Sequence, residues 1–306
     1  MSEPLVAILL STYNGERFLG EQLDSLLAQT HRNTRIVVRD DGSTYGTRAI
    51  LDRYARAHPN IQITFGENLR NVASFFWLVD HAPQEAAYLC FCDQDDVWEA
   101  DKVARGVRAL QGLDGPAMVF TNVHIVDAAL GLLATDGNRA PRGTAFENSL
   151  VQNVATGCTV MFNAAAAAAV RDRKVRHGKL IQHDWWLYQV ISAIGTVVYD
   201  AYPTLRYRQH GANVIGRPMG FRFWSARLKR QLNPSRQRLW PQAAELLRVH
   251  GTELPPPKRR VLEEFVASAA SSSWLERTRY ALRAPVYRQQ ALDDVILRVL
   301  IAAGRI

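Results

Sequence analysis

The stretch YLCFCDQDDVWEADK, Tyr88 to Lys102, ends an apolar run in three carboxylates: Asp93, Asp95 and Asp96. Two other apolar runs also end in polar groups. LVAILL leads into STYNG, and TRIVV leads into DDGS, with Asp40 and Asp41. Carboxylates gathered in one place repel each other, and they stay ionised only if a cation or hydrogen-bond donors sit among them. A hard divalent cation with oxygen ligands, and a diphosphate as its other partner, meets that need. Each group alone has a plainer reading: DDGS is a common turn with a helix cap, and DQDD would suit the acidic first turn of a helix beginning near Glu99. Three such groups at three strand ends favour a functional site.

The elements that would carry these groups alternate. LVAILL reads as a first strand, and GERFLGEQLDSLLAQT puts Phe18, Leu19, Leu23, Leu26 and Leu27 on one helical face. TRIVVRDDGS is a second strand, followed by a helix carrying Ile50, Leu51 and Tyr54. IQITF is a third strand, NVASFFWLVDHA a third helix and AAYLCFC a fourth strand. This order predicts an α/β fold with a mostly parallel sheet covered by helices on both faces. Such open sheets bind ligands beyond the carboxyl ends of their strands, where the carboxylates fall.

Composition narrows the class. The 306 residues are 47% hydrophobic and 22% charged, enough for one sizeable core and an additional region. Cys90, Cys92 and Cys158 lack the spacing of a zinc site or disulfide framework, so they read as small buried apolar residues in a reducing compartment. MSEPLVAILL has no basic leader and no run approaches a membrane span, so a cytoplasmic protein is expected. The net charge of +8 is uneven: from Arg217 onward there are 17 Lys+Arg against 7 Asp+Glu.

The ordered set STYNGERFLGEQLDSLLAQT, IVVRDDGST, CDQDDVWEADK, HDWW and YRQHGANVIG resembles the family 2 glycosyltransferases of GT-A fold, most of all the bacterial rhamnosyltransferase-like members. The resemblance spans Pro4 to Gly216 and implies a catalytic domain over residues 1–216 followed by a helical extension over 217–306. It implies transfer of a sugar from a nucleotide-sugar donor, a dTDP- or UDP-sugar and foremost dTDP-L-rhamnose, to a glycan or lipid-linked glycan acceptor, with Mg or Mn. Carried onto this chain, it places Ser11 and Tyr13 at the donor base, with Tyr13 stacking, and makes Asp41 the acceptor of the base N3–H. Asp93 and Asp95 become the D-x-D pair, Asp95 on the metal and Asp93 on the ribose or the metal, with Asp96 in a secondary orienting role. Tyr45 stands where the family usually has Asp, and Ser43 or Thr44 is expected to cap the next helix instead.

Further along, Ala164 to Ala169 is a strong helix former and reads as scaffold. In LIQHDWWLYQVI, Asp184 stands immediately before an apolar helix, where it would serve as a plain N-cap; the resemblance makes it the catalytic base. Thr196 to Tyr199 reads as a strand followed by a polar loop. A lone histidine is usually structural, but the resemblance places His210 in a loop that closes over the diphosphate and lends the metal an imidazole. Arg206 and Arg208 have the guanidinium shape that suits phosphate oxygens.

The basic tail, with Phe221, Phe223, Trp224 and Trp240, fits an amphipathic region on an anionic membrane surface, the inner face of the cytoplasmic membrane; the alternative is a helical appendage packed on the catalytic domain or on a dimer partner. A nucleotidyltransferase would want a Gly/Arg/Lys-rich phosphate loop that STYNGE does not supply. Nucleic-acid binding would leave the acidic strand ends unexplained, because they repel phosphates.

Overall fold

The computed structural model describes residues 3–171, 174–210 and 239–306. The first half follows the expected alternation: β1 (Val6–Thr12), α1 (Leu19–Leu27), β2 (Thr34–Asp40), α2 (Tyr45–Ala57), β3 (Ile61–Phe65), α3 (Arg70–Asp80) and β4 (Tyr88–Cys92). β1 pairs in parallel with both β2 and β4, and β2 with β3, because a helix carries the chain back between these strands.

Beyond β4 the chain forms β5 (Val97–Trp98), α4 (Lys102–Leu110), β6 (Ala117–Val126), β7 (Leu132–Ala134), α5 (Phe146–Ser149), β8 (Val160–Asn163), α6 (Ala164–Val170), α7 (His183–Ile194) and β9 (Thr196–Arg208). The sheet order is β3-β2-β1-β4-β8-β6-β9-β5, with β7 on β6. β8 runs antiparallel to both β4 and β6, so the sheet changes character there, and parallel pairing returns between β6 and β9.

Two local expectations change. The helix expected near Glu99 begins at Lys102, because Val97 and Trp98 instead form a short strand on β9. The polar segment expected to loop after Tyr199 continues as strand to Arg208. β6 on one side and β5 on the other satisfy its backbone, and Pro203 falls where the register with β6 shifts. A proline is tolerated at such a bulge because the missing N–H interrupts no regular ladder.

Strand alternation divides the core. Ala7, Leu9, Leu89 and Phe91 face α3 and α7, whereas Val6, Ile8, Leu10, Cys90 and Cys92 face α1 and α4. All three cysteines are free and buried. Four helices close the chain, Trp240–His250, Pro256–Ala270, Trp274–Arg283 and Ala291–Ala302, and Leu246, Leu262, Phe265, Leu297 and Leu300 from them join the same apolar cluster as Trp186 and Ile191 of α7. Trp240 packs half-buried against this cluster, while Phe221, Phe223 and Trp224 lie outside the described residues. Among the described residues no helix is long and apolar enough to cross a membrane.

Candidate active site

At the end of β1, Ser11 Oγ lies 2.9 Å from Ser74 Oγ of α3, and Tyr13 projects half-exposed from the following loop. Gln94, from the loop after β4, ties that loop down: its Oε1 accepts from Thr12 Oγ1 at 2.7 Å and from the Tyr13 N–H at 2.8 Å. Gly15 is required by this contact, since a Cβ there would fall 2.3 Å from Gln94 Oε1.

At the end of β2, Asp40 Oδ1 accepts the Ser43 N–H at 2.9 Å, and Gly42 takes φ +85°, a left-handed turn that favours glycine. Thr44 occupies the N-cap position of α2 but its side chain makes no capping bond, and Ser43 Oγ accepts from the Asn14 N–H instead. Asn14 takes over the capping from across the turn, its Oδ1 accepting the Thr44 N–H at 3.0 Å. Asp41 is buried and paired with Arg39, whose guanidinium lies over the Trp77 ring and donates to the Glu67 carbonyl.

The carboxylates after β4 divide into two groups. Asp93, Asp96 and Cys158 bring ligand atoms within 4.8 Å of one another. Asp95 instead meets His210, with Nε2 2.8 Å from Oδ2. Burial, followed by repulsion from Asp96, Asp95 and Asp184, holds the Asp93 carboxyl well above the usual range. Burial and then Asp95 raise that of Asp96 as well. Asp96 Oδ1 accepts the Arg208 N–H at 3.1 Å, while its buried Oδ2 has no hydrogen-bond partner.

Sequence reasoning missed the positive charge beneath this group. Lys102 is 4% exposed, its ammonium 4.7 Å from the Trp98 ring centroid, and its charge limits how far burial raises the Asp96 carboxyl and the Cys158 thiol. Nothing in DQDDVWEADK marks Lys102 for burial, which comes from the packing of α4 against β6, β8 and β9. Cys158 was likewise legible only as a buried apolar residue, because nothing in TGCTV announces a carboxylate pair.

Arg208 does not line the cleft with the other seven singled-out residues. Its guanidinium is 1% exposed, donating to Glu21 Oε2 at 2.6 Å, the Asp95 carbonyl at 2.8 Å and the Ala128 carbonyl at 2.5 Å, and covering the Phe18 ring. It thus holds the backbone of the Asp95 loop from behind, in place of the expected phosphate contact. Arg206 points elsewhere and pairs with Glu99.

Asp184 lies inside the first turn of α7, with Gln182 at the N-cap position. Its Oδ2 accepts the Gly157 N–H at 2.8 Å and its Oδ1 the Trp185 N–H at 2.6 Å. Burial nevertheless dominates and pushes its pKa up to about 6, the Trp185 and Gly157 N–H groups limiting the rise. Ser11, Tyr13, Asp41, Asp93, Asp95, Asp184 and His210 all line one cleft of about 830 Å³. The arrangement offers a stacking ring and a paired carboxylate at one end, crowded carboxylates with an imidazole in the middle, and a buried carboxylate set to take a proton near neutrality.

Comparison with known proteins identifies the family and the fold. The profile of the family described as Glycosyl transferase family 2 matches residues 7–173. Shigella flexneri dTDP-rhamnosyl transferase RfbG is 28% identical over 230 residues, 70% of this chain and 75% of RfbG. The Bacillus subtilis protein named putative teichuronic acid biosynthesis glycosyltransferase TuaG is 26% identical, over 57% of this chain and 68% of its own. Among solved structures, S. aureus TarS 1–349 in complex with UDP-GlcNAc superposes with a TM-score of 0.60 at 14% identity, covering 98% of this chain and 87% of that one. The mannosyltransferase PcManGT from Pyrobaculum calidifontis, in complex with GDP-Man and Mn2+, gives a TM-score of 0.52 at 18% identity, covering 99% and 85%. With more than half of its length matched by the family profile, the chain belongs to glycosyl transferase family 2 and is a glycosyltransferase of GT-A fold.

Proposed function

We propose that the protein is an inverting, metal-dependent enzyme that moves L-rhamnose from dTDP-L-rhamnose to a hydroxyl of a cell-surface polysaccharide or lipid-linked glycan. The observation that carries this reading is the convergence of Tyr13, Asp41, Asp93, Asp95, His210 and Asp184 on one cleft at the carboxyl ends of β1, β2 and β4. Similarity to a dTDP-rhamnosyl transferase favours the rhamnose donor. A UDP-sugar is the alternative, favoured by the fold it shares with a protein solved with UDP-GlcNAc.

The half-exposed Tyr13 ring stacks on the base, Ser11 bounds it, and Asp41 accepts the imide N3–H that thymine and uracil share. Arg39 pairs with Asp41 and holds its carboxylate in place. The unpartnered Asp96 Oδ2 and the mutual repulsion around Asp93 fit a divalent cation, Mg or Mn, with Asp95, Asp93 and His210 as its holders. Such an ion supplies charge neutralisation for a departing diphosphate. Arg208 and Lys102 keep the acidic loop in place. Asp184 takes the proton of the attacking hydroxyl, and one displacement inverts the anomeric carbon.

Residues 1–216 form the catalytic unit in this reading, and 217–306 an extension that brings the enzyme to an anionic membrane surface, the inner face of the cytoplasmic membrane, through its excess of Lys and Arg. The test is a donor screen by hydrolysis and thermal shift, with and without Mn, across UDP, dTDP and GDP sugars. A manganese-dependent shift and turnover with dTDP-L-rhamnose is the expected result. A GDP-sugar as the only active donor would overturn the pyrimidine assignment, and full activity without any divalent ion would overturn the metal.

A further inference from the structure

His183 stands beside Asp184 and has no part in the mechanism above. Its side chain is buried, its ring stacked on Phe75 with centroids 3.8 Å apart and set edge-on to Phe91 at 4.7 Å. Nδ1 lies 3.0 Å from Asn71 Oδ1. A carbonyl oxygen only accepts, so Nδ1 carries the hydrogen and Nε2 keeps a lone pair. That Nε2 is buried with no hydrogen-bond partner. Burial pushes the imidazole pKa down to about 3, so the ring is neutral throughout the physiological range.

A buried polar atom left without a partner calls for an explanation, and a ligand that completes it is one. The surroundings point the same way. A Cβ at Gly157 would come 3.0 Å from His183 Nε2 and 3.4 Å from Asp184 Oδ2, so the missing side chain leaves open the space that both acceptors border. Gly157 does not have a positive φ, so what disfavours a side chain there is its close approach to His183 and Asp184 rather than its backbone. Gly157, His183 and Asp184 all line the cleft. A cation is the weaker occupant, because both oxygens of the neighbouring Asp184 already accept backbone N–H groups. A neutral nitrogen acceptor next to the proposed base suits a hydroxyl donor.

We propose that His183 Nε2 accepts a hydrogen bond from a sugar hydroxyl held beside Asp184 and Gly157, which makes His183 a specificity-determining residue of the transfer. The inference rests on the reading of the cleft as a nucleotide-sugar site. The hydroxyl belongs to the donor sugar or to the acceptor, and the two are separable by experiment.

The variants are His183→Phe, which keeps the ring stack on Phe75 and removes the acceptor, and Gly157→Ala, which fills the space; thermal melting establishes that each is folded. Affinities for dTDP and dTDP-L-rhamnose are measured by calorimetry, and KM values for the donor and for a panel of methyl glycosides by transfer. If the hydroxyl is on the donor, His183→Phe weakens dTDP-L-rhamnose by about tenfold, the size of one hydrogen bond, while dTDP binds within twofold of wild type. If it is on the acceptor, the methyl glycoside KM rises about tenfold against an unmoved donor KM, and the glycoside lacking that hydroxyl no longer distinguishes wild type from variant. Equal weakening of dTDP and dTDP-L-rhamnose, constants unchanged throughout, or a variant that does not fold while Gly157→Ala folds and behaves as wild type would each overturn the proposal. A wild-type protein that binds no nucleotide sugar would overturn the underlying reading as well, whereas normal wild-type binding with an indifferent His183→Phe would overturn this inference alone.

Discussion

The carboxylates after β4, of which Asp96 is buried and Asp93 and Asp95 half-buried, and the buried carboxylate at the start of α7 are unequal in what the protein provides for them. Asp93 and Asp96 are raised by burial and then by each other and Asp95, and one oxygen of Asp96 has no hydrogen-bond partner. Asp184 is raised by burial too, but two backbone N–H groups hold its oxygens. The first group is crowded with like charge that Lys102 and His210 only partly offset. The second is complete and poised to exchange a proton. The difference supports the proposal that the first group holds a ligand and the second performs a step.

The strongest way to break this contrast is to remove Asp95. Asp95→Ala should abolish turnover and the metal-dependent gain in donor affinity, with thermal unfolding little changed because Asp95 sits at the cleft edge paired with His210. Full activity in this variant, or wild-type activity undiminished in excess EDTA, contradicts a metal at this end.

Next in size is Asp184→Asn, which keeps the shape and removes the base. Donor and metal affinity should persist while transfer falls by about 10²–10⁴-fold. Wild-type kcat should rise with pH through about 6 as Asp184 ionises, and this limb should vanish in the variant. A β-linked donor should give an α-linked product. Retained configuration, or near-normal transfer by Asp184→Asn, rules out the single displacement with this base; weakened donor binding alone would mark Asp184 as structural.

The smallest effect sharpens the contrast without any substrate. Asp184 has a folded pKa of about 6 against an unsubstituted 3.8, so folding favours its protonated form; the associated stability is present at low pH and is lost as pH rises through the folded value. Between pH 5 and pH 7 the metal-free wild type should lose about 1 kcal/mol from this group, and Asp184→Asn should show a correspondingly flatter profile in urea melts. Parallel profiles for the two proteins would mean that burial does not perturb Asp184.

Much of the scaffold was legible because its signals are local. Continuous apolar runs such as VAILL and YLCFC predicted buried strands, and the helix-period faces between them predicted the parallel connections that β1, β2 and β4 make. The short strand at Val97 and the long extension of β9 to Arg208 were not legible, because the first is only two residues long, the second mixes polar residues with a proline, and the strand state of both depends on pairing with each other and, for β9, with β6. Arg208 illustrates the same limit in the site: its residue type suggests phosphate, while its position on β9 turns it behind the Asp95 loop.

By itself, the sequence determined that polar groups follow three apolar strands, two of them acidic, and strand geometry then requires those groups to share one edge of a sheet. Only the tertiary structure decided how each carboxylate is completed. Asp41 has Arg39, Asp95 has His210, Asp184 has the Gly157 N–H, and Asp96 keeps an oxygen open. The physical reason is one of range. Side-chain period and turn chemistry act over a few residues, whereas desolvation and ion pairing depend on which distant segments arrive within a few ångströms, and Asp184 meets Gly157 across 27 residues of chain.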